Sequence, residues 1–301
     1  MLIWFVAAYL AFSVAIGLYV ATRVHNVKDF AVAGRCLPIP VVMATVFATW
    51  FGAEAVFGVS ATFVKDGLRG VVADPFGSSL CLIIAGFFYG TKLYRLNVLT
   101  LGDYFRMRYN RTVEILTTLC IVTSYLGWVS AQIKALGLVF NVVTGGAISQ
   151  PAGMVLGAAI VLTYTTFGGM LSVAILDFVQ MGVVMGGMLF IAYLVSGMTG
   201  GVEAVVTHAA AAGKLDFFPE ADAAQWLAFI GAWITMMLGS IPQQDVFQRI
   251  TSAKSAKVAI YGSLLGGLIY FLFTFVPMFI AYSATLIDPT LFNGLMQNDA
   301  Q

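Results

Sequence analysis

Three carboxylates and one ammonium fall where ionisable side chains are costly. Glu54, Asp74, Lys134 and Asp177 sit within or at the edge of long apolar runs, and an ionisable group inside a membrane span is by default a functional candidate. Asp177 falls about two turns from the inner end of its run and is such a candidate; the bland alternative is a helix-end carboxylate satisfied by hydroxyls and water. Glu54, between Gly52 and Gly58, either lines a cavity or caps the half-helix that starts there. Lys134 lies on the turn after Trp128 and Gln132. A buried ammonium needs a partner, and Glu54, Asp74 or a carboxylate solute would serve; a lysine that snorkels to an interface needs none. Asp74-Pro75 reads as an N-cap followed by proline in the first turn. Trp50 and Trp128 offer ring faces to a cation, worth about 1–2 kcal/mol each when desolvated, unless they only pack helices together. No nucleophile stands beside a base, and Cys36, Cys81 and Cys120 have no metal or disulfide spacing. This set binds and moves ions and small polar solutes; it does not suit covalent catalysis.

The elements that position these groups follow from composition. Of 301 residues, 60% are hydrophobic and 10% charged, against about 25% charged in a soluble domain. Such a chain cannot make a polar coat, so lipid must solvate much of its surface. The net charge of +1 argues against nucleic acid as a partner, because phosphate binding needs a basic face. Abundant apolar side chains exclude a disordered chain. A spanning helix needs about 20 mostly apolar residues. Eight stretches qualify: 1–22, 41–64, 72–92, 112–139, 152–169, 170–197, 224–246 and 256–286. The first has no basic n-region, so it reads as a retained helix rather than a signal peptide. With residue 1 outside, eleven of the fifteen Lys and Arg fall in inner connections, three in outer ones, and Lys134 within a span. That bias supports an external N-terminus. Residues 100–111 suit a short interfacial helix on the inner face.

Two of these spans are interrupted. The second carries Ala48-Thr49-Trp50-Phe51-Gly52-Ala53-Glu54, and the seventh Leu238-Gly239-Ser240-Ile241-Pro242-Gln243. Proline removes one helical hydrogen bond and crowds another carbonyl, and unwound backbone at membrane depth survives only against protein or a polar cavity. The two breaks lie five spans apart. Paired interruptions at corresponding positions point to an inverted-repeat transporter with its site at the midplane. Freed carbonyls there are hard oxygen ligands for a small cation, and half-helix N-termini favour anionic groups.

Four stretches carry a resemblance: Lys28 to Arg35, Ala48 to Gly52, Tyr164 to Val173 with Asp177 and Gln180, and Phe247-Gln248-Arg249 followed by Ser252 to Ser255. Together, in this order, they resemble the sodium:solute symporter family, and within it the choline-transporter branch most. The resemblance implies an all-α membrane protein of the leucine-transporter type, with two inverted five-helix repeats and two discontinuous helices. Residues 1–22 would be a peripheral first helix, 41–197 the first repeat and 224–286 the start of a second. The family has about thirteen spans, so the chain is expected to be an N-terminal part of a longer transporter.

The resemblance also implies roles. Na⁺, the coupling ion, is expected on the carbonyls of Ala48 and Phe51, with Asp177 on its inward route and no organic cofactor. The small organic solute is expected near Trp50, Glu54, Trp128, Gln132 and Gln243, with Lys134 as a charge partner. In the choline branch Trp50 and Trp128 match two walls of an aromatic cage, but a third cage tryptophan is replaced here by Gln243. That departure points to a more polar solute: choline-like, zwitterionic or carboxylate. The expected mechanism is alternating access in a bacterial inner (plasma) membrane. Proton coupling through Glu54, a transporter-like membrane sensor and a passive pore remain alternatives.

Overall fold

Residues 2–220 and 222–290 are described by a computed structural model. Among them the secondary structure is helical apart from an isolated parallel bridge, Leu37 to Ala253. The polar stretch Asn293 to Gln301 that ends the sequence lies outside the described residues.

The helices are α1 (Leu2–Ala21), α2 (Val27–Val32), α3 (Ile39–Ala48), α4 (Ser60–Asp66), α5 (Ser78–Ile84), α6 (Gly90–Leu96), α7 (Leu101–Arg108), α8 (Arg111–Val143), α9 (Gln150–Met198), α10 (Val202–Ala211), α11 (Ala223–Gly239), α12 (Gln244–Thr251) and α13 (Ala256–Ile287). π-helical turns at Glu54–Val59, Val72–Gly77 and Ala85–Tyr89 join the shorter pieces. Among the described residues five helical stretches are long and apolar enough to cross a membrane, or six if the interrupted pair α11–α12 is one span. Two of the five exceed one crossing. The 49-residue α9 would extend about 74 Å if straight, more than twice the roughly 30 Å hydrocarbon core. It breaks at Gly169, where φ is 50° and ψ −145°, on the boundary between the expected spans 152–169 and 170–197. The 43-residue stretch Glu54–Leu96 likewise contains an extended residue, Asp74 (φ −138°, ψ 120°). Large apolar side chains along α8 and α9, such as Leu126 and Phe190, are exposed, as lipid-facing helices require.

Chain contacts divide the fold into two units, each drawn from three segments. The first comprises Met1–Thr45, Gly86–Val179 and Pro242–Ser263. Its centre is built by the short motifs. Asn26 caps α2 by accepting the Asp29 amide at 2.9 Å, and Asp29 accepts the His25 amide in return. The helix then stops in left-handed backbone at Ala33, Gly34 and Arg35. Arg35 stacks on Tyr94 at 5.2 Å and donates to its carbonyl at 3.2 Å. Gln248 donates to the Ala31 carbonyl, and Leu37 exchanges backbone bonds with Ser252 and Lys254. A Cβ at Gly169 would lie 2.4 Å from the Phe30 carbonyl, so the break in α9 closes directly onto α2. Ser172 donates to the Gly17 carbonyl at 2.7 Å. Three of the four motif stretches are therefore one packed body. A short helix forms within residues 100–111: α7 opens with a Thr100–Asp103 capping box.

The second unit comprises Val46–Ala85, Gln180–Ile241 and Leu264–Gln301. Phe47, Phe51, Tyr270 and Phe273 form an aromatic cluster with centroids 4.6–6.2 Å apart, worth about 0.5–1.5 kcal/mol per pair beyond area burial. Val59, Phe63, Val71, Val205 and Met278 form a second apolar core. The acidic connection before α11 docks on this unit: Arg69 pairs with Asp216 and Glu220 at 3.7 and 3.8 Å, and Lys214 donates to the Lys65 carbonyl at 2.7 Å.

Candidate ion and solute site

The first interruption follows α3. Beyond Ala48 the amides no longer pair regularly with the fourth residue back. Thr49 donates to Val46, and Gly52 turns back to Trp50 at 2.9 Å rather than to Ala48. The Ala48 carbonyl thereby loses its regular helical partner, which a hard cation can replace. Phe51 keeps its amide bond to Phe47 at 3.2 Å, and its ring is stacked on Phe47. This fixes the loop that carries both expected Na⁺ carbonyls. Trp50 is buried, at 8% exposure. Glu54 opens the π-helical turn and is exposed. The residue in the capping position is Ala53, which has helical backbone and supplies no side-chain cap; the capping alternative for Glu54 is not what the geometry shows.

The second interruption ends α11 at Gly239 and restarts α12 at Gln244. Pro242 supplies no amide, and Gln243 is extended (φ −85°, ψ 145°) in the capping position of α12. In the same unit Trp128 is 40% exposed and meets Tyr125 edge-on at 6.4 Å. The Tyr125 hydroxyl accepts the Asp245 amide at 3.1 Å. Tyr125 thus ties the Trp128 turn of α8 to the first turn of α12, two residues beyond Gln243. Sequence reading passed over Tyr125, although it stands one turn before Trp128. Gln132 is half-buried on the same helix.

Asp177 has specific partners. Thr45, on the last turns of α3, donates to its Oδ2 at 2.5 Å. Arg249, in the last turn of α12, lies within electrostatic reach of the carboxylate and donates to the Thr45 carbonyl at 3.3 Å. A carboxylate, a hydroxyl and a guanidinium therefore join α9, α3 and α12. Thr45 gave no signal in sequence; Arg249 was visible only as part of a motif.

Lys134 is exposed on α8 and makes no ion pair among the described residues. Asp74, one of its expected partners, is held by hydroxyls instead. Tyr270 donates to its two oxygens at 2.7 and 2.8 Å, and Ser78 reaches Oδ1. Asp74 stands at a kink, with extended backbone immediately before Pro75, and its turn packs against α11 and α5.

The chain is similar to several known transporters. It is 28% identical over 271 residues to the high-affinity choline transporter 1 of Caenorhabditis elegans, which covers 87% of this chain and 44% of that protein. Human sodium-coupled monocarboxylate transporter 1 is 26% identical over 273 residues, covering 86% and 44%. The chain thus spans less than half the length of these curated relatives. A Na⁺-coupled sialic acid symporter, solved substrate-bound and outward-open, superposes with a TM-score of 0.80 at 19% identity, over 96% of this chain and 63% of that one. That likeness gives the leucine-transporter-type fold; the long apolar helices and the family match below make it an integral, multi-pass membrane protein. The family model matches residues 30–292, a range that takes in both interruptions, three of the motif stretches whole and the first from Phe30 onward, and so the chain belongs to the sodium:solute symporter family.

Proposed function

We propose that this chain is part of a Na⁺-coupled secondary symporter that imports a small organic solute by alternating access. The observation that carries the reading is the pair of interrupted spans, at 49–53 and 240–243, in a chain of this family. Na⁺ is taken by the carbonyls of Ala48, which lacks its helical partner, and Phe51. The ion favours one state of the transporter, because it binds that state better than the other. The solute engages Trp50 and Glu54 at the first interruption and Trp128, Gln132 and Gln243 near the second. Lys134 is available to a solute carboxylate. Asp177, with Thr45 and Arg249, lies on the inward cation route. The N-terminus is external in a bacterial plasma membrane.

The solute class follows from side-chain chemistry. Tryptophan faces favour an ammonium group, whereas Gln243 and Lys134 favour a hydrogen-bonding or anionic group. A zwitterion satisfies both. The relatives include a choline transporter and a monocarboxylate transporter, which brackets that class. The test is solute uptake by the full-length protein in proteoliposomes with Na⁺ outside, then with Na⁺ replaced by K⁺. Accumulation against a gradient only with Na⁺ is expected. Uptake unchanged by the replacement would overturn Na⁺ coupling, and uptake that never exceeds equilibration would make the protein a passive pore.

A further inference from the structure

One ionisable group in the second unit has no part in the proposed transport mechanism. Asp74 sits where the backbone turns extended inside the stretch Glu54–Leu96. An ionised carboxylate at such a position needs a cation or a dense set of donors. What faces it is nearly neutral. The turn Glu54–Val59 contributes Glu54, another acid. The 3₁₀ segment Gly67–Val71 contributes Arg69, which is committed to Asp216 and Glu220. Helix α11 has no ionisable side chain, α5 has only Cys81, and α13 presents Tyr270.

The hydroxyls around Asp74 accommodate two protonation states. A serine hydroxyl has one proton to donate and can accept as well. Ser78 has two acceptors in reach, Asp74 Oδ1 and the Pro75 carbonyl, the latter at 3.1 Å. Ser79 also reaches the Pro75 carbonyl. When Asp74 is ionised, Ser78 and Tyr270 both donate to it, and Ser79 satisfies Pro75. When Asp74 carries a proton, Oδ1–H donates to Ser78, Ser78 donates to Pro75, and Tyr270 stays on Oδ2. Every polar atom is satisfied in both states, and the change needs only hydroxyl rotations and one proton from water. A site wired for one state leaves an unmet donor or acceptor in the other.

We propose that Asp74, with Ser78 and Tyr270, is a proton-binding site of this transporter, distinct from the Na⁺ carbonyls. Its proton occupancy sets the strength of the Asp74–Tyr270 bond, which fastens the Val72–Gly77 turn to α13 within the second unit. Proton binding itself does not depend on the symport reading; its effect on transport does.

The test is infrared difference spectroscopy of the purified full-length protein across pH steps. A protonated carboxylic C=O stretch that titrates as a single site is expected, its protonated-to-ionised ratio changing about tenfold per pH unit. The band should vanish in Asp74→Asn, move in frequency in Tyr270→Phe and persist in Glu54→Gln. Identical spectra for wild type and Asp74→Asn would overturn the proposal. So would an unmoved band in Tyr270→Phe, which covers the case where Asp74→Asn does not fold. In proteoliposomes at fixed Na⁺, the pH dependence of initial uptake should flatten in Asp74→Asn. If no variant takes up solute, the symport reading fails while the spectroscopic result still decides the proton site. A band that titrates with Na⁺ instead of pH would make Asp74 a metal-cation ligand and refute the proposal.

Discussion

Replacing Gly169 by alanine tests the joint between the two halves of α9. Its φ of +50° with ψ of −145° belongs to a region almost reserved for glycine, at a cost of about 1–3 kcal/mol for any other residue. The added Cβ would also stand 2.4 Å from the Phe30 carbonyl and 2.7 Å from its ring. Neither atom yields easily, because α2 is tied down by its cap and by Gln248. Overpacking of this kind costs a further 1–3 kcal/mol or so, so Gly169→Ala should destabilise by about 2–6 kcal/mol. At roughly 2 °C per kcal/mol for a chain of this size, the midpoint should fall by about 4–12 °C. The assay is thermal unfolding of the full-length protein in detergent, followed by dye labelling of buried cysteine such as Cys81. Gly182→Ala is the control: it lies in the same helix with nothing within 4 Å of its added Cβ, and should be neutral or slightly stabilising. Equal midpoints for the two variants would refute the claim that the Gly169 kink is sterically imposed.

Three further outcomes follow. Thr45→Val and Asp177→Asn, alone and combined, should show a coupling energy of about 1.5–3 kcal/mol in a double-mutant cycle on stability, the size expected of a hydrogen bond to a charged group; additive effects would dissolve the contact. Trp50→Ala should raise KM for an ammonium-bearing solute by roughly 5- to 30-fold, from the loss of about 1–2 kcal/mol of cation–π energy, and change a carboxylate solute far less. Gly67→Ala should loosen the docked acidic connection, because φ there is +70° and a Cβ would meet the Lys214 carbonyl at 2.6 Å; accelerated proteolysis between residues 211 and 222 would report it, and unchanged cleavage would contradict it.

Much of the site was legible in the sequence because membrane depth makes irregularity expensive. Gly52 and Pro242 stand out against apolar helices, and each marks a real interruption in the structure. The same reasoning found Asp177 and Asp74 as costly intramembrane groups. It did not find what they touch. Thr45 is an ordinary threonine on an apolar helix, and Tyr270 one tyrosine among twelve; each matters through a contact across more than 130 positions of chain. Lys134 shows the limit from the other side. Its position deep in a run left a buried ammonium and a snorkelling lysine both open, because the direction in which a helical side chain points depends on packing; in the structure it is exposed.

The sequence by itself determined that this is a multi-span membrane protein, where its chain is interrupted and which family it resembles. Those properties follow from local composition, from hydrogen bonds that lipid cannot replace, and from short motifs. Only the tertiary structure decided that the motifs at 28–35, 164–173 and 247–255 form one body, that a glycine at 169 is sterically required there, and that Asp74 is answered by hydroxyls rather than by lysine. These depend on which helix faces meet, and a nearly uniform apolar sequence holds too little amphipathic pattern to specify that in advance.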